Sequence, residues 1–228
     1  MENTDRYAEP SPKDQDWVSY PEFEEMLYAP FTHDIPIRAI TKKPGFHWFG
    51  YYDKYQTNPT DRFALGMETD FDFRSPGPED RIRIGIIDLE DGDRWTEIGT
   101  TAAWGWQQGC MLQWRPGTRN EGMWNDRIDG RFATCLYNVS NGDKRIIPHP
   151  FYHVHPSGRY ALGLDFARIQ DMRPGYGYPG LRDTNKDVLR PIDSGIYLID
   201  LDTGEYRFLL SVADIASLPY KGEEGNDD

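Results

Sequence analysis

The residue types able to do chemistry gather in a few short stretches. Residues 45–54 read Gly-Phe-His-Trp-Phe-Gly-Tyr-Tyr-Asp-Lys and bring together His47, Tyr51, Tyr52, Asp53 and Lys54. Aromatic faces of this kind stack on sugar rings; equally, they pack between structural units with their polar tips hydrogen-bonded. Gln107 and Gln108 lie within Trp104-Gly-Trp-Gln-Gln-Gly-Cys-Met-Leu-Gln-Trp114. Paired amides in an aromatic setting need partners if buried, and a ligand hydroxyl would serve. Asn125-Asp-Arg127 and Asp165-Phe-Ala-Arg168 each place a carboxylate and a guanidinium just after an expected strand. Such a pair either ties neighbouring structural units together or presents a planar fork to a ligand carboxylate. Arg173, Tyr176 and Tyr178 could add to that site. Arg, His and Tyr can between them supply charge neutralisation at a carboxylate, a base and an acid. No catalytic residue is assigned from the sequence.

His153 and His155 form a His-x-His pair, which could hold a metal from one strand face. The turn reading is stronger. His155 stands before Pro156 as Asn58 stands before Pro59, which makes it a residue that caps its own backbone. No metal ligand is assigned. A Gly-rich phosphate loop, a Gly-x-Ser-x-Gly elbow and a Cys-x-x-Cys pair are all missing from the sequence.

The elements that must carry these residues repeat. Residues 151–210 give the unit: strand, loop, strand, a tight turn at Asp202-Thr-Gly204, strand. Asn58-Pro-Thr-Asp-Arg-Phe-Ala-Leu-Gly66 is nearly the same phrase as His155-Pro-Ser-Gly-Arg-Tyr-Ala-Leu-Gly163. Gly92, Gly142 and Gly204 mark one turn in three copies, at intervals of 50 and 62 residues. Repeats of this length with several strands each mean a propeller or solenoid. The expected fold is all-β, a β-propeller of four-stranded antiparallel blades with about three blades present, at residues 36–99, 100–148 and 149–212. Residues 35–41 read as a strand, 45–54 as a loop, and 170–191 as a Gly- and Pro-rich insertion on the binding face. Residues 1–35 read as an irregular acidic lead-in with a short helix over 16–27, and 221–228 as a disordered acidic tail. Three blades are fewer than the usual four to eight. The chain is therefore expected to be an open arc, the N-terminal half of something longer, that self-associates through its uncovered blade faces.

Composition narrows the partners. The 228 residues hold 25 Lys and Arg against 38 Asp and Glu, a formal net charge of −13. Nucleic acid binding needs a basic footprint, so DNA and RNA are not expected, nor is an anionic membrane surface. No stretch approaches the roughly 20 apolar residues of a membrane span, and the N-terminus shows no secretory pattern, so a cytoplasmic protein is the expectation. The sequon at Asn138 is discounted for the same reason. Cys110 and Cys135 are expected to be buried, reduced thiols rather than a disulfide.

Phe49-Gly-Tyr-Tyr-Asp-Lys54, the Trp104–Trp114 run, Trp124-Asn-Asp126 and Arg173-Pro-Gly-Tyr-Gly-Tyr178 resemble a group of mostly uncharacterised microbial propellers. Those in turn are similar to TolB-like and oligogalacturonate-lyase-like propellers. The resemblance covers about residues 40–212. It implies a carbohydrate-directed propeller, with lyase action on acidic oligosaccharides as the activity. The alternative is a non-catalytic scaffold that binds sugars or a protein partner. The lyases of the resembled group use manganese held by His and Gln from later blades. No cofactor is therefore expected in this chain, with manganese possible in a longer parent.

Overall fold

The computed structural model describes residues 38–219. The expected lead-in over 1–35, its helix and the acidic tail over 221–228 fall outside these residues. From Ile40 the described chain lies in one compact unit.

Among the described residues twelve strands form three four-stranded sheets, each in sequence order. The first holds β1 (Phe46–Trp48), β2 (Phe63–Thr69), β3 (Ile82–Asp88) and β4 (Arg94–Thr101). The second holds β5 (Gln113–Trp114), β6 (Glu121–Ile128), β7 (Arg131–Asn138) and β8 (Lys144–Ile147). The third holds β9 (His153–Val154), β10 (Tyr160–Gly163), β11 (Gly195–Asp200) and β12 (Tyr206–Ser211). Every neighbouring pair is antiparallel. Three such meanders that do not close into a ring are an open arc of propeller blades. Among the described residues no helix is long and apolar enough to cross a membrane.

Gly92, Gly142 and Gly204 all take positive φ, at 61°, 77° and 79°. They sit in the turns between the third and fourth strands of the three blades, so the repeat read from the sequence is a repeat of turn geometry. Two elements differ from the sequence reading. Arg38–Thr41 is not a strand; the first strand is Phe46–Trp48, inside the stretch read as a loop. A helix, Phe166–Met172, precedes and runs into the insertion read at 170–191; it is too short to leave a clear helical period in the sequence.

Side-chain alternation builds two cores. On β6, Met123 faces the third blade and joins Phe132, Phe151, Phe166 and Ile199. Its neighbour Trp124 faces the first blade and joins Leu65, Met67, Ile84 and Ile98. The second blade is thus buried on both faces, and each fully buried Leu or Ile contributes about 1.5–3 kcal/mol. Aromatic rings fill the space left by strand glycines. Trp95 lies across Gly66 and Gly85, and Tyr197 covers its cross-strand partner Gly163.

Polar ties accompany the cores. Asp126 accepts from the Ala102 amide at 2.8 Å and pairs with Arg81 at 3.1 Å, joining the first two blades. Arg115 donates to the Gly158 carbonyl at 2.7 Å, to Glu121 at 2.6 Å and to Asp202, joining the second and third. Cys110 and Cys135 are buried and unbridged. Burial pushes the Cys135 thiol up to about 12 and Cys110 higher still. A thiol reagent should leave both unlabelled in the native protein and label both in denaturant; rapid native labelling would contradict the packing described.

The turn of Arg115–Thr118 meets the turn after β9. Gly158 has φ 74°, and a Cβ there would collide with the Pro116 carbonyl oxygen. Gly158→Ala therefore combines left-handed strain with a backbone clash, and should lower stability by about 2–4 kcal/mol in a denaturant titration. An unchanged midpoint would mean the two turns do not touch.

Candidate functional site

The site begins with an interruption in the first blade. β1 pairs with β2 from Phe46 to Trp48, then leaves the ladder. Pairing resumes where the Leu65 amide donates to the Gln56 carbonyl at 2.9 Å and Thr57 bridges Ala64. The intervening residues turn back on themselves, with the Lys54 amide donating to the Tyr51 carbonyl at 3.1 Å. They lie against the link between β4 and β5, since a Cβ on Gly50 would come within 3.0 Å of the Gln108 carbonyl oxygen. An excursion of this kind re-aims side chains that a regular strand would send to either face.

What it re-aims is a polar cluster. The Lys54 side chain is 2% exposed, and its ammonium donates to Asp53 at 2.9 Å. The same Asp53 oxygen faces the Nδ1 of His153 of the third blade, 3.8 Å away, within ion-pair reach and beyond a hydrogen bond. The Lys54 nitrogen also lies 6.0 Å from the ring centroid of Tyr152. Tyr152 in turn accepts from the buried Gln108 amide nitrogen at 3.2 Å. The Gln108 side-chain oxygen is buried with no partner among the described residues. Tyr51 packs on Tyr52 at 4.5 Å between ring centroids. Partial burial first, then Tyr52, Tyr152 and Tyr176, hold the Tyr51 hydroxyl above its usual pKa.

Asp53, Lys54 and His153 open onto a cleft of about 570 Å³ to which all three blades contribute. Its rim carries the three corresponding X-Pro turns, at Asn58-Pro59, Arg115-Pro116 and His155-Pro156. Two of them are capped by their own side chains. Asn58 accepts from the Phe63 amide at 3.0 Å, and the His155 Nδ1 accepts from the Ser157 amide at 3.1 Å. The wall adds Gln113, Trp114 and the exposed ring of Tyr55. A cleft of this size, with apolar walls and convergent polar groups, has the form of a small-molecule site.

The structure brings Tyr51, Tyr52, Asp53, Lys54 and Gln108 together and distributes the other candidates elsewhere. His47 is on the opposite face of the first blade, 2.7 Å from Glu68 and edge-on to Trp95. Asn125 lies within β6 rather than after it, and it is fully bonded: its amide donates to the Phe151 carbonyl at 2.8 Å and its oxygen accepts from the Phe151 amide at 3.0 Å. Its amide also meets the hydroxyl of Tyr178, which is stacked on Phe166 at 4.2 Å in the core. Arg127 reaches Glu79 at 3.3 Å. The inter-blade ion pair expected of this motif is made by its neighbour Asp126, with Arg81.

Asp165 and Arg168 are not in a turn. Asp165 caps the helix by accepting from the Arg168 amide at 3.1 Å. The Arg168 guanidinium holds Asp183 at 3.0 Å and the carbonyls of Asn185 and Val188, which fixes the insertion. Gln107 and Tyr176 line a separate cleft of about 340 Å³ with Trp104 and Trp106. Arg173 stacks on Tyr176 at 3.9 Å and donates to its hydroxyl at 3.1 Å. Tyr152, Gln113 and Tyr55 were not singled out by sequence, and His153 was weighed only as a metal ligand. The available signal was register: Val154 is buried, so its neighbour His153 faces away from the core.

No family model matches this chain, and no curated protein matches it. Solved structures do. TolB from Acinetobacter baumannii is similar at TM-score 0.44 and 11% identity, over 75% of this chain and 34% of that one. A putative TolB from Agrobacterium tumefaciens is similar at TM-score 0.42 and 15% identity, over 75% of this chain and 52% of that one. The apo AtxE2 isopeptidase is similar at TM-score 0.41 and 12% identity, over 78% of this chain and 32% of that one. The match thus spans between about a third and a half of these proteins. That the chain is an open arc of β-propeller blades stands on its three four-stranded sheets themselves.

Asn125 is the test of how blades two and three are joined. Asn125→Ala strands the Phe151 amide and carbonyl and the Tyr178 hydroxyl, and each buried orphan costs about 1–3 kcal/mol. The variant should melt well below the parent in calorimetry. A loss within about 0.5 kcal/mol, the range of surface changes, would show that water reaches this seam.

Proposed function

We propose that the three-blade cleft binds an acidic, uronate-containing oligosaccharide. The observation that supports this most is the joint lining by Asp53, Lys54 and His153 from two blades, beside the exposed Tyr55 ring. An ammonium and an imidazole suit a ligand carboxylate. Asp53, Gln113 and Thr118 supply donors and acceptors for hydroxyls. Tyr55 offers a ring face to a sugar ring. Lyase action on the same ligand is the finer reading. It is favoured by the His153–Asp53 contact, in which a carboxylate faces an exposed imidazole able to act as a base.

Calorimetric titration with oligogalacturonate and with a neutral maltooligosaccharide tests the binding. The acidic ligand should bind at least about tenfold more tightly, the worth of one charge-assisted contact. His153→Ala and Tyr55→Ala, both at exposed side chains, should each weaken it. Equal affinity for the two sugars, or none for either, would refute the reading. Ultraviolet absorbance of an unsaturated product, followed with and without manganese, separates a lyase from a binder.

A second reading, a protein-interaction scaffold, is favoured by a different observation. On the third blade the side of β10–β12 away from the core exposes Tyr160, Leu162 and Leu210. Such a patch supports self-association or docking of a partner. Sedimentation of the purified chain distinguishes a self-associating arc from a monomer.

A further inference from the structure

A second cleft, of about 790 Å³, lies between the second and third blades, away from the residues assigned to sugar binding. Its floor is aromatic. His149 lies against Tyr206 with 3.6 Å between ring centroids and meets Tyr197 edge-on at 5.8 Å. Both hydrogen-bonding partners of the Tyr197 hydroxyl are backbone carbonyls, those of Pro150 and Leu164, so this ring is fixed. Phe208 continues the floor, because it pairs with Tyr197 across the sheet and shares its face. Tyr206 pairs with the buried Ile199, so its ring also points toward the second blade. These rings are therefore not on the outward side of the arc. Even so, Tyr206 remains 57% and Phe208 43% exposed.

The cleft is lined by two carboxylates and two guanidiniums, which differ in how they are held. The Asp165 carboxylate is engaged on both oxygens, by the Arg168 amide and by Ser194. Asp193 accepts from Asn185 at 2.9 Å. Arg131 and Arg182, in contrast, are exposed lining residues that make no ion pair among the described residues. Arg131 is close enough to His149 to join burial, the larger cause, in holding that imidazole below its usual pKa. A ring floor in a cleft whose two guanidiniums make no ion pair among the described residues is complementary to a flat ligand that carries negative charge at one end.

We propose that this cleft is a second binding site, for a small aryl carboxylate whose ring lies on Tyr206 and Phe208 and whose carboxylate meets the Arg131 and Arg182 rim. A sugar is poorly suited to it, since the floor offers ring faces and few free hydroxyl partners.

Benzoate, benzamide and cyclohexanecarboxylate are the probes, titrated into the whole chain and followed by chemical shift changes. Benzoate should bind about tenfold more tightly than benzamide, which lacks the charge. It should also bind more tightly than cyclohexanecarboxylate, which lacks the flat face. Arg131→Gln and Arg182→Gln should each weaken benzoate, and Tyr206→Leu should remove the preference for the flat ring. These variants lie outside the sugar cleft, so oligogalacturonate titration should be unchanged in them. Equal affinity for the acid and the amide, or no shift changes with benzoate at millimolar concentration, would overturn the proposal.

Discussion

The second blade must satisfy two neighbours at once, and the rest of the structure depends on that. Consecutive side chains of a strand point to opposite faces, so Met123 and Trp124 necessarily serve different cores. A shift of one residue in the pairing of β6 with β7 would exchange the two sets and turn each toward the wrong neighbour. Register is held on both sides by polar groups that cannot move without loss. Asn125 grips the Phe151 backbone, and Asp126 grips Ala102 and Arg81. These adjacent residues use the same alternation as their apolar neighbours: one tie goes to the third blade and the next to the first.

The outer faces of the arc are unlike one another. On the first blade Trp95 spans two strand glycines, and the surface beside it is a charged row in which Glu68 lies between His47 and Arg83, with Asp70 beyond. Ion pairs of this kind contribute little stability by themselves, but they keep a sheet face wet and discourage pairing with another apolar face. The corresponding side of the third blade presents Leu162 and Leu210. An uncovered apolar face, expected at both ends of the arc, is thus seen among the described residues on the third blade, while the first presents a charged row.

Repetition made the fold legible. Three glycines at one turn and the recurring X-Pro-turn-Arg-aromatic-Ala-Leu-Gly phrase are local features, and local features survive in a single sequence. The turn role of His155 was legible for the same reason: its partner is two residues away. Most of the site was not. Asn125, Asp165 and Arg168 have ligand-like types, but their side chains are engaged by residues far along the chain or by a helix too short to announce itself. Tyr152 and Gln113 carry no local signature at all. They matter only because the inner strands of three blades converge.

That convergence explains why the aromatic stretch 45–54 departs from its ladder. A continuous strand from Phe46 to Thr57 would alternate its side chains between the two faces of the first blade, and Asp53 and Lys54 would point in opposite directions. Leaving the ladder forfeits several backbone hydrogen bonds, each worth about 0.5–1.5 kcal/mol net. The loss is partly offset by the internal turn from Tyr51 to Lys54. The further offset lies in side chains brought to one place: a buried ammonium with its carboxylate, a histidine from the third blade facing the same carboxylate, and tyrosines from separate blades within electrostatic reach of one another. A buried lysine held by one partner is a costly feature in a fold that could have placed an apolar residue there. Local irregularity of this kind concentrates where a chain binds or reacts. The break in β1 and the buried Lys54 therefore point to the same cleft from independent directions, one from the backbone and one from charge.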